Sequence, residues 1–412
     1  MRARTLLAAT ACATVLAGLT ACVPNNPGAG GAGDGAAGGT TALTVSSTED
    51  ACTVSEATAP AGTLTFTVTN DGERVTEFYL LADDGLRIIG EVENIAPGAS
   101  RDLTVVAQPG DYFTVCKPGM VGAGVGQAPF TVTGERVELS ADDQALFDEA
   151  VANYTAYVRN QVAELVPATE EFLAAYEAGD DERARELFAS TRVFYERIEP
   201  TAEAFGDLDP NIDYREVDAV EEGRNWQGFH RIEKDLWPPK PGDENSDGRD
   251  ALQDWEPSTP EQRANYAKKL RLDVQKLADL VNAEDFSLTI QDITNGARAL
   301  LDEVATNKIT GEEDWWSGTD LYDFQSNVEG AQVAFGIVED IARAKGEEGA
   351  ALADEINREF EQLNAALAEH GSLESGFVDY KTLTPEQVKA LSNRVDALSE
   401  PLSRLTSTII GE

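Results

Sequence analysis

Thr63-Leu64-Thr65-Phe66-Thr67-Val68-Thr69 alternates hydroxyl and apolar side chains without a break. A two-residue period of this kind belongs to a strand with one face in a core and the other toward water. The period returns in Leu103-Thr104-Val105-Val106, and Asn70-Asp71-Gly72, Pro97-Gly98 and Pro109-Gly110 supply turns between the runs. Residues 43–134 therefore read as an all-β sandwich. Downstream of Ser140 the turn residues thin out and the period changes. Ala184, Leu187, Phe188, Thr191, Tyr195 and Ile198 recur three and four apart, which puts them on one helical face that starts at Asp180-Asp181 and stops near Gly206. Thr259-Pro260-Glu261-Gln262 and Thr384-Pro385-Glu386-Gln387 each place a capping hydroxyl, a proline at the first helical position and a glutamine able to reach back. Pro238-Pro239-Lys240-Pro241-Gly242-Asp243, running on to Arg249, reads as a loop. Residues 140–412 are thus expected to form an all-α helical bundle, and the chain to be multidomain.

Ahead of the strands, Arg2 and Arg4 precede the short apolar runs Leu6-Leu7-Ala8-Ala9 and Val15-Leu16-Ala17, the pattern of a secretory signal. It ends in Leu19-Thr20-Ala21-Cys22, which is similar to a bacterial lipobox, so residues 1–22 are expected to be a lipoprotein signal peptide and Cys22 the lipidated residue. An ordinary signal cleaved nearby is the alternative. No later stretch reaches the roughly 20 apolar residues of a membrane helix. Residues 23–42 are mostly Gly, Ala, Pro and Asn, a flexible Gly-rich linker without the means to build a core.

The chain has 412 residues, 42% of them hydrophobic, and a formal charge of −42. Such a charge repels nucleic acid and anionic lipid and favours cations at the surface, although solubility alone also accounts for it. Cys12 leaves with the signal, so Cys52 and Cys116 are the thiols of the folded part, and in an oxidising compartment they can pair.

His230 and His370 are the two histidines. In Gly228-Phe229-His230-Arg231-Ile232-Glu233-Lys234, positions 230 and 233 share a helix face, where an imidazole and a carboxylate can hold one metal ion or form a surface pair. The motif is not that of a zinc protease, which needs a second histidine. Arg192, Glu196, Glu199 and Glu203 make an acidic stripe that also suits a solvated face. Asp320 and Asp323, in Thr319-Asp320-Leu321-Tyr322-Asp323-Phe324, suit a metal or the start of a helix. His370, before Gly371, reads as the end of a helix.

Read in order, Tyr195-Glu196-Arg197-Ile198-Glu199-Pro200, Asp207-Leu208-Asp209, the His230 segment, Ile309-Thr310-Gly311-Glu312-Glu313-Asp314 and Asp320 through Gly330 resemble the imelysin-like helical domain of the EfeO iron-uptake proteins. Glu93-Asn94-Ile95-Ala96-Pro97-Gly98 and Gln108-Pro109-Gly110-Asp111-Tyr112 resemble their cupredoxin-like domain. The resemblance implies a cell-envelope protein that binds iron and works with an iron permease and a haem peroxidase of the dye-decolourising type. It implies that His230 and Glu233 are metal ligands, and that Glu196, Glu199, Asp320 and Asp323 stand where such proteins offer carboxylates. Cys52, Glu77 and Cys116 fall where their cupredoxin-like domains offer candidate ligands. The β-segment has no histidine, so a blue-copper site is excluded on ligand count. Cys116 and Met120, four apart, resemble the ligand loop without its histidine. For the cysteines a disulfide with Glu77 exposed stands beside the metal site, and the two can be alternative redox states.

The expectation is therefore a binding protein rather than an enzyme. Iron, as Fe3+ or Fe2+, fits carboxylates plus one imidazole, with copper or zinc as less suited ions. It would be anchored outside the cytoplasmic membrane or be periplasmic, and would not bind nucleic acid. A zinc-type metallopeptidase is one alternative. A polysaccharide-binding lipoprotein using Trp226, Trp237, Trp255, Trp315 and Trp316 is another.

Overall fold

A computed structural model describes residues 41–410, apart from 84, 86–87, 120–123, 135–140, 254 and 307. The expected leader, Cys22, the expected linker up to residue 40 and Met120 lie outside the described residues. Among the described residues, nine strands precede the helices. β1 (Thr41–Ser47), β2 (Cys52–Val54), β4 (Gly62–Asn70) and β7 (Ser100–Ala107) form one sheet in the order β2-β1-β4-β7. β3 (Thr58–Pro60), β5 (Thr76–Leu81), β6 (Ile88–Ile95), β8 (Gly110–Cys116) and β9 (Val125–Thr133) form the other, ordered β3-β9-β8-β5-β6. Thr41 and Ala42, read as linker, already pair in parallel with Leu64 and Thr65 of β4, so the first strand begins earlier than the composition suggested.

The Thr63–Thr69 alternation is realised as expected. Leu64, Phe66 and Val68 are fully buried, and the Phe66 ring meets Phe78 and Phe130 of the opposite sheet at centroid distances of 5.2 and 5.5 Å. Aromatic contacts of this kind add to simple area burial in closing a sandwich. β5 breaks the alternation, with all six of its residues buried. Phe78 and Leu80 enter the sandwich core, while Tyr79 and Leu81 form a separate apolar cluster with Val115. Lys117, just past β8, pairs with Glu222 of the helical part at 3.2 Å.

The helical part contains α1 (Ala141–Ala178), α2 (Asp181–Glu196), α3 (Leu208–Ile212), α4 (Glu216–Glu221), α5 (Phe229–Leu236), α6 (Pro260–Val281), α7 (Ile290–Thr306), α8 (Asp320–Ala344), α9 (Glu347–Ala368), α10 (Pro385–Leu402) and α11 (Leu405–Ile410). Both expected capping boxes are present, with Thr259 and Gln262 starting α6 and Thr384 and Gln387 starting α10. The loop from Pro238 to Arg249 carries only an isolated bridge, Glu244 to Asp250. No described helix is long and apolar enough to cross a membrane.

α2 starts at its Asp180 cap but stops at Glu196, short of the expected end near Gly206. Pro200 is the reason: it has no N–H for the ladder and its ring crowds the carbonyl four residues back. The chain continues as a 3-10 segment, Glu199–Phe205. α7 comes so close to this corner that a Cβ on Gly296 would lie 1.7 Å from the Pro200 carbonyl oxygen. The corner that carries Glu196 and Glu199 is thereby clamped.

Candidate metal centre

α5 begins at Gly228, whose φ is +90° and whose added Cβ would lie 2.2 Å from the Ile212 carbonyl oxygen. Only glycine meets both demands without strain. The close approach sets the first turn of α5 against the end of α3, so that His230 faces Asp213, the residue that closes α3. From a third direction, the loop between the 3-10 turn Lys308–Thr310 and α8 brings in Glu313 and Asp314.

The two ring nitrogens of His230 have different company. Nδ1 lies 3.0 Å from Glu233 Oε2 and 3.8 Å from Asp314 Oδ1. Nε2 lies 3.4 Å from Glu313 Oε1 and 3.6 Å from Asp213 Oδ1, yet it has no hydrogen-bond partner among the described residues. Two sets of potential ligand atoms each fall within 4.8 Å of one another: Asp213, His230 and Glu313 on the Nε2 side, and His230, Glu233 and Asp314 on the Nδ1 side. All five residues are buried. Glu233 also accepts the backbone N–H groups of Trp316 and Ser317 through Oε1, at 3.0 and 2.7 Å. A cavity of about 20 Å³ touches His230, Glu233 and Glu313, room for a body the size of one water molecule.

Arg192, wholly buried, holds this centre to the surrounding acids. It donates to Asp213, to Glu196 at 2.6 Å and to Asp323 at 3.2 Å. Lys308, also buried, reaches Glu199 at 2.6 Å and Glu196 at 3.4 Å. Against these two cations stand seven buried carboxylates: Glu196, Asp213, Glu233, Glu313, Asp314, Asp320 and Asp323. Fully ionised, they would leave five negative charges without a cation in a buried region. Such an excess is costly, so the protein meets it by holding protons. Burial raises the pKa of Asp213 above its ordinary value, those of Asp314 and Asp323 well above theirs, and that of Asp320 to about 7. At His230, burial and then the Arg192 charge favour the neutral ring. The carboxylates of Glu233, Glu313 and Asp213 outweigh both and lift the imidazole to about 10. Glu313 moves the other way: burial raises it, but Lys308 and His230 pull it well below its ordinary value. Asp314, Asp320 and Asp323 each retain one buried oxygen with no hydrogen-bond donor among the described residues.

The placement divides the expected ligand set. His230 and Glu233 come together as anticipated. Glu196, Glu199, Asp320 and Asp323 are near the cluster, but none joins His230 in a ligand group among the described residues. Arg192, Lys308 and Asn327 occupy the two glutamates, and Asp320 accepts the Asp314 backbone N–H at 3.1 Å. Asp213, Glu313 and Asp314 take the places nearest the ring. Glu313 and Asp314 stood in a segment that the resemblance had already picked out, whereas no local pattern marked Asp213. His370 follows the end of α9, as the glycine after it suggested.

In the β-domain, Cys52 and Cys116 form a disulfide. The disulfide is one of the two states expected for this pair, and a disulfide sulfur carries no thiolate charge to offer a metal. Glu77 is buried rather than exposed; it accepts the Tyr79 hydroxyl, and burial raises its pKa above the usual range.

Comparison with known proteins fits this architecture. The imelysin family profile (peptidase M75) matches residues 150–405, and a cupredoxin-like domain profile matches residues 11–125. "Iron uptake system component EfeO" of Escherichia coli strain K12 is 34% identical over 369 residues, covering 89% of this chain and 90% of that protein. The protein of the same name from Yersinia pestis is 36% identical over 355 residues, covering 85% and 87%. An imelysin-like protein from Psychrobacter arcticum 273-4 aligns with 66% of this chain and 97% of its own at 13% identity, with a TM-score of 0.38.

Proposed function

The chain belongs to the EfeO family of iron-uptake components, and from that premise we infer that its helical domain captures one iron ion at His230. The observation that carries the reading is the His230 Nε2 atom, buried and without a hydrogen-bond partner, with Asp213 and Glu313 beside it. A neutral imidazole presents a lone pair at one nitrogen while the other N–H is held by an acceptor, and a carboxylate is the usual holder. Glu233, fixed by two backbone N–H groups, is placed to hold Nδ1–H. Nε2, Asp213 and Glu313 then face the ion, with Asp314 in reserve on the opposite side. Hard carboxylate oxygens with a single imidazole suit iron better than they suit a soft-metal site. The excess of buried carboxylates over buried cations supplies the attraction as the protons they hold are displaced.

Capture on this reading is binding without turnover. A zinc-protease arrangement calls for a second histidine, and neither ligand group contains one. Lipid at Cys22 and the linker behind it would keep the body at the outer face of the cytoplasmic membrane. From there the ion would pass to the iron permease, with the haem peroxidase as the third component. Delivery follows from the same chemistry, because a site whose ligands take up protons releases its ion as the local pH falls.

Anaerobic titration with Fe(II) tests the assignment. Asp213→Asn and Glu313→Gln should each weaken binding by more than the roughly tenfold to hundredfold expected for loss of an orienting group. Glu233→Gln, which keeps an acceptor oxygen, should fall within that range. Wild-type affinity in the Glu313→Gln protein would move the ion away from Nε2.

A further inference from the structure

A second cavity, of about 1230 Å³, opens beside the metal centre. It is far larger than a hydrated ion needs and somewhat above the roughly 300–1,000 Å³ of sites that take small organic molecules. Three half-buried indoles, Trp237, Trp315 and Trp316, line it. So do four cations, Arg185, Lys240, Lys381 and Lys389. Most arginines of this chain are spent on ion pairs, yet none of these four side chains pairs with a carboxylate among the described residues. Arg185 donates to the Leu236 carbonyl, and Lys381 to the carbonyls of Trp315 and Trp316. Asp243 and Glu244 also line the groove, and the Asp243 carboxylate accepts the Lys240 backbone N–H; four cations against two acids still leave the lining net positive. In a chain of charge −42, four exposed cations without acidic partners around one aromatic groove form a local anion site.

The groove and the metal centre share a wall. Ile309, Thr310 and Gly311 face the groove, Glu312 and Glu313 face the small cavity at His230, and Trp315 and Trp316 border both. Lys381 is tied to the carbonyls of Trp315 and Trp316, while the backbone N–H groups of Trp316 and Ser317 hold Glu233, the acceptor at His230 Nδ1. An anion drawn to Lys381 therefore sits one peptide segment away from the metal ligands.

We propose that this groove binds an anionic, oxygen-donor iron chelate, so that iron reaches His230 from a bound carrier rather than as the free ion. The proposal rests on the iron-capture reading for the identity of the metal, but the groove's affinity for the anion stands on its own lining. The indoles accept the flat faces of a carrier, whether aromatic rings or planar carboxylates, and the cations neutralise it. The five tryptophans singled out in the sequence divide accordingly. Trp226 and Trp255 pack on the buried Lys234, Trp316 packs there and also lines the groove, Trp315 borders both cavities, and Trp237 lines the groove.

The experiment uses the full chain and two redox-inert stand-ins, gallium(III) citrate and gallium(III) 2,3-dihydroxybenzoate, followed by calorimetry and tryptophan fluorescence. Wild type should bind at least one of them. Lys240→Gln/Lys389→Gln, which removes two exposed cations outside the metal centre, should weaken that binding by roughly tenfold while leaving Fe(II) binding unchanged. His230→Ala should retain chelate binding, which separates failure of the groove from failure of the metal site. Stronger binding of the dihydroxybenzoate chelate, lost in Trp237→Ala, supports an aromatic carrier, and stronger citrate binding supports a carboxylate one. Equal chelate affinity in wild type and the double lysine variant would overturn the proposal. So would binding of a neutral glucan hexasaccharide in place of both chelates.

Discussion

Proton release on metal binding is the most revealing perturbation of the His230 centre. With its pKa lifted to about 10, the ring is protonated in the ion-free protein at neutral pH, and that proton must leave before Nε2 can ligate. Because the raised pKa favours the protonated form, proton and metal compete at every pH below about 10, and affinity should climb as pH rises. One proton displaced per ion corresponds to about tenfold in affinity per pH unit, or about 1.4 kcal/mol. Between pH 7 and 8.5 the expected gain is about thirtyfold; an ordinary histidine of pKa about 6.5 would give less than about twofold over the same interval. Asp320, near 7, adds up to about half a proton at neutrality if the ion draws it into the ionised form. Calorimetric titration with Fe(II) under anaerobic conditions at pH 7.5, in two buffers of different ionisation enthalpy, counts these protons directly. Between one and two per ion is the expected result. A count near zero, with affinity flat above pH 7, would refute the charge balance derived for the cluster.

Three further outcomes follow from particular contacts. The Cys52–Cys116 bond closes a loop with a sequence separation of 64, so its removal in a Cys52→Ser/Cys116→Ser protein should lower stability by about 4 kcal/mol; denaturant midpoints that ignore reductant would contradict this. Gly296→Ala drives a Cβ into the Pro200 carbonyl and should destabilise by about 3 kcal/mol, read as a lower unfolding temperature. In ion-free protein, Asp320 keeps its proton to about pH 7 when folded but loses it near pH 4 when unfolded. Its contribution therefore turns against the fold as pH rises from 4 to 7, by on the order of 4 kcal/mol. Thermal unfolding at pH 5 and pH 7.5 should show the ion-free protein losing stability and added iron restoring it most at the higher pH.

The parts of the molecule that sequence made legible are those whose causes are local. Thr63–Thr69 carries its own burial pattern, and Thr259 with Gln262 carries its own helix start, since each depends on neighbours within a few residues. Glu77 escaped the same logic. Strand alternation marks it as outward-facing, but its sheet face is covered as well, and nothing in Val75–Tyr79 encodes that covering. The metal centre divides in the same way. His230 and Glu233 share one helical turn and were visible, whereas Asp213 and Glu313 reach the ring from two separate loops and have no spacing relative to residue 230. Glu196 and Glu199 had the right spacing but went to Lys308 and Asn327. The buried cations that decide this assignment are set by packing, which periodicity does not report.

The central claim is that iron is held at His230 and its neighbouring carboxylates, and iron content after loading tests it most directly. The full chain and its His230→Ala variant, loaded with iron under identical conditions and freed of unbound metal by gel filtration, are compared by elemental analysis, with circular dichroism confirming that both are folded. About one iron per chain in wild type, and near none retained by the folded variant, is the result predicted here. Equal iron in the two proteins would place the site elsewhere.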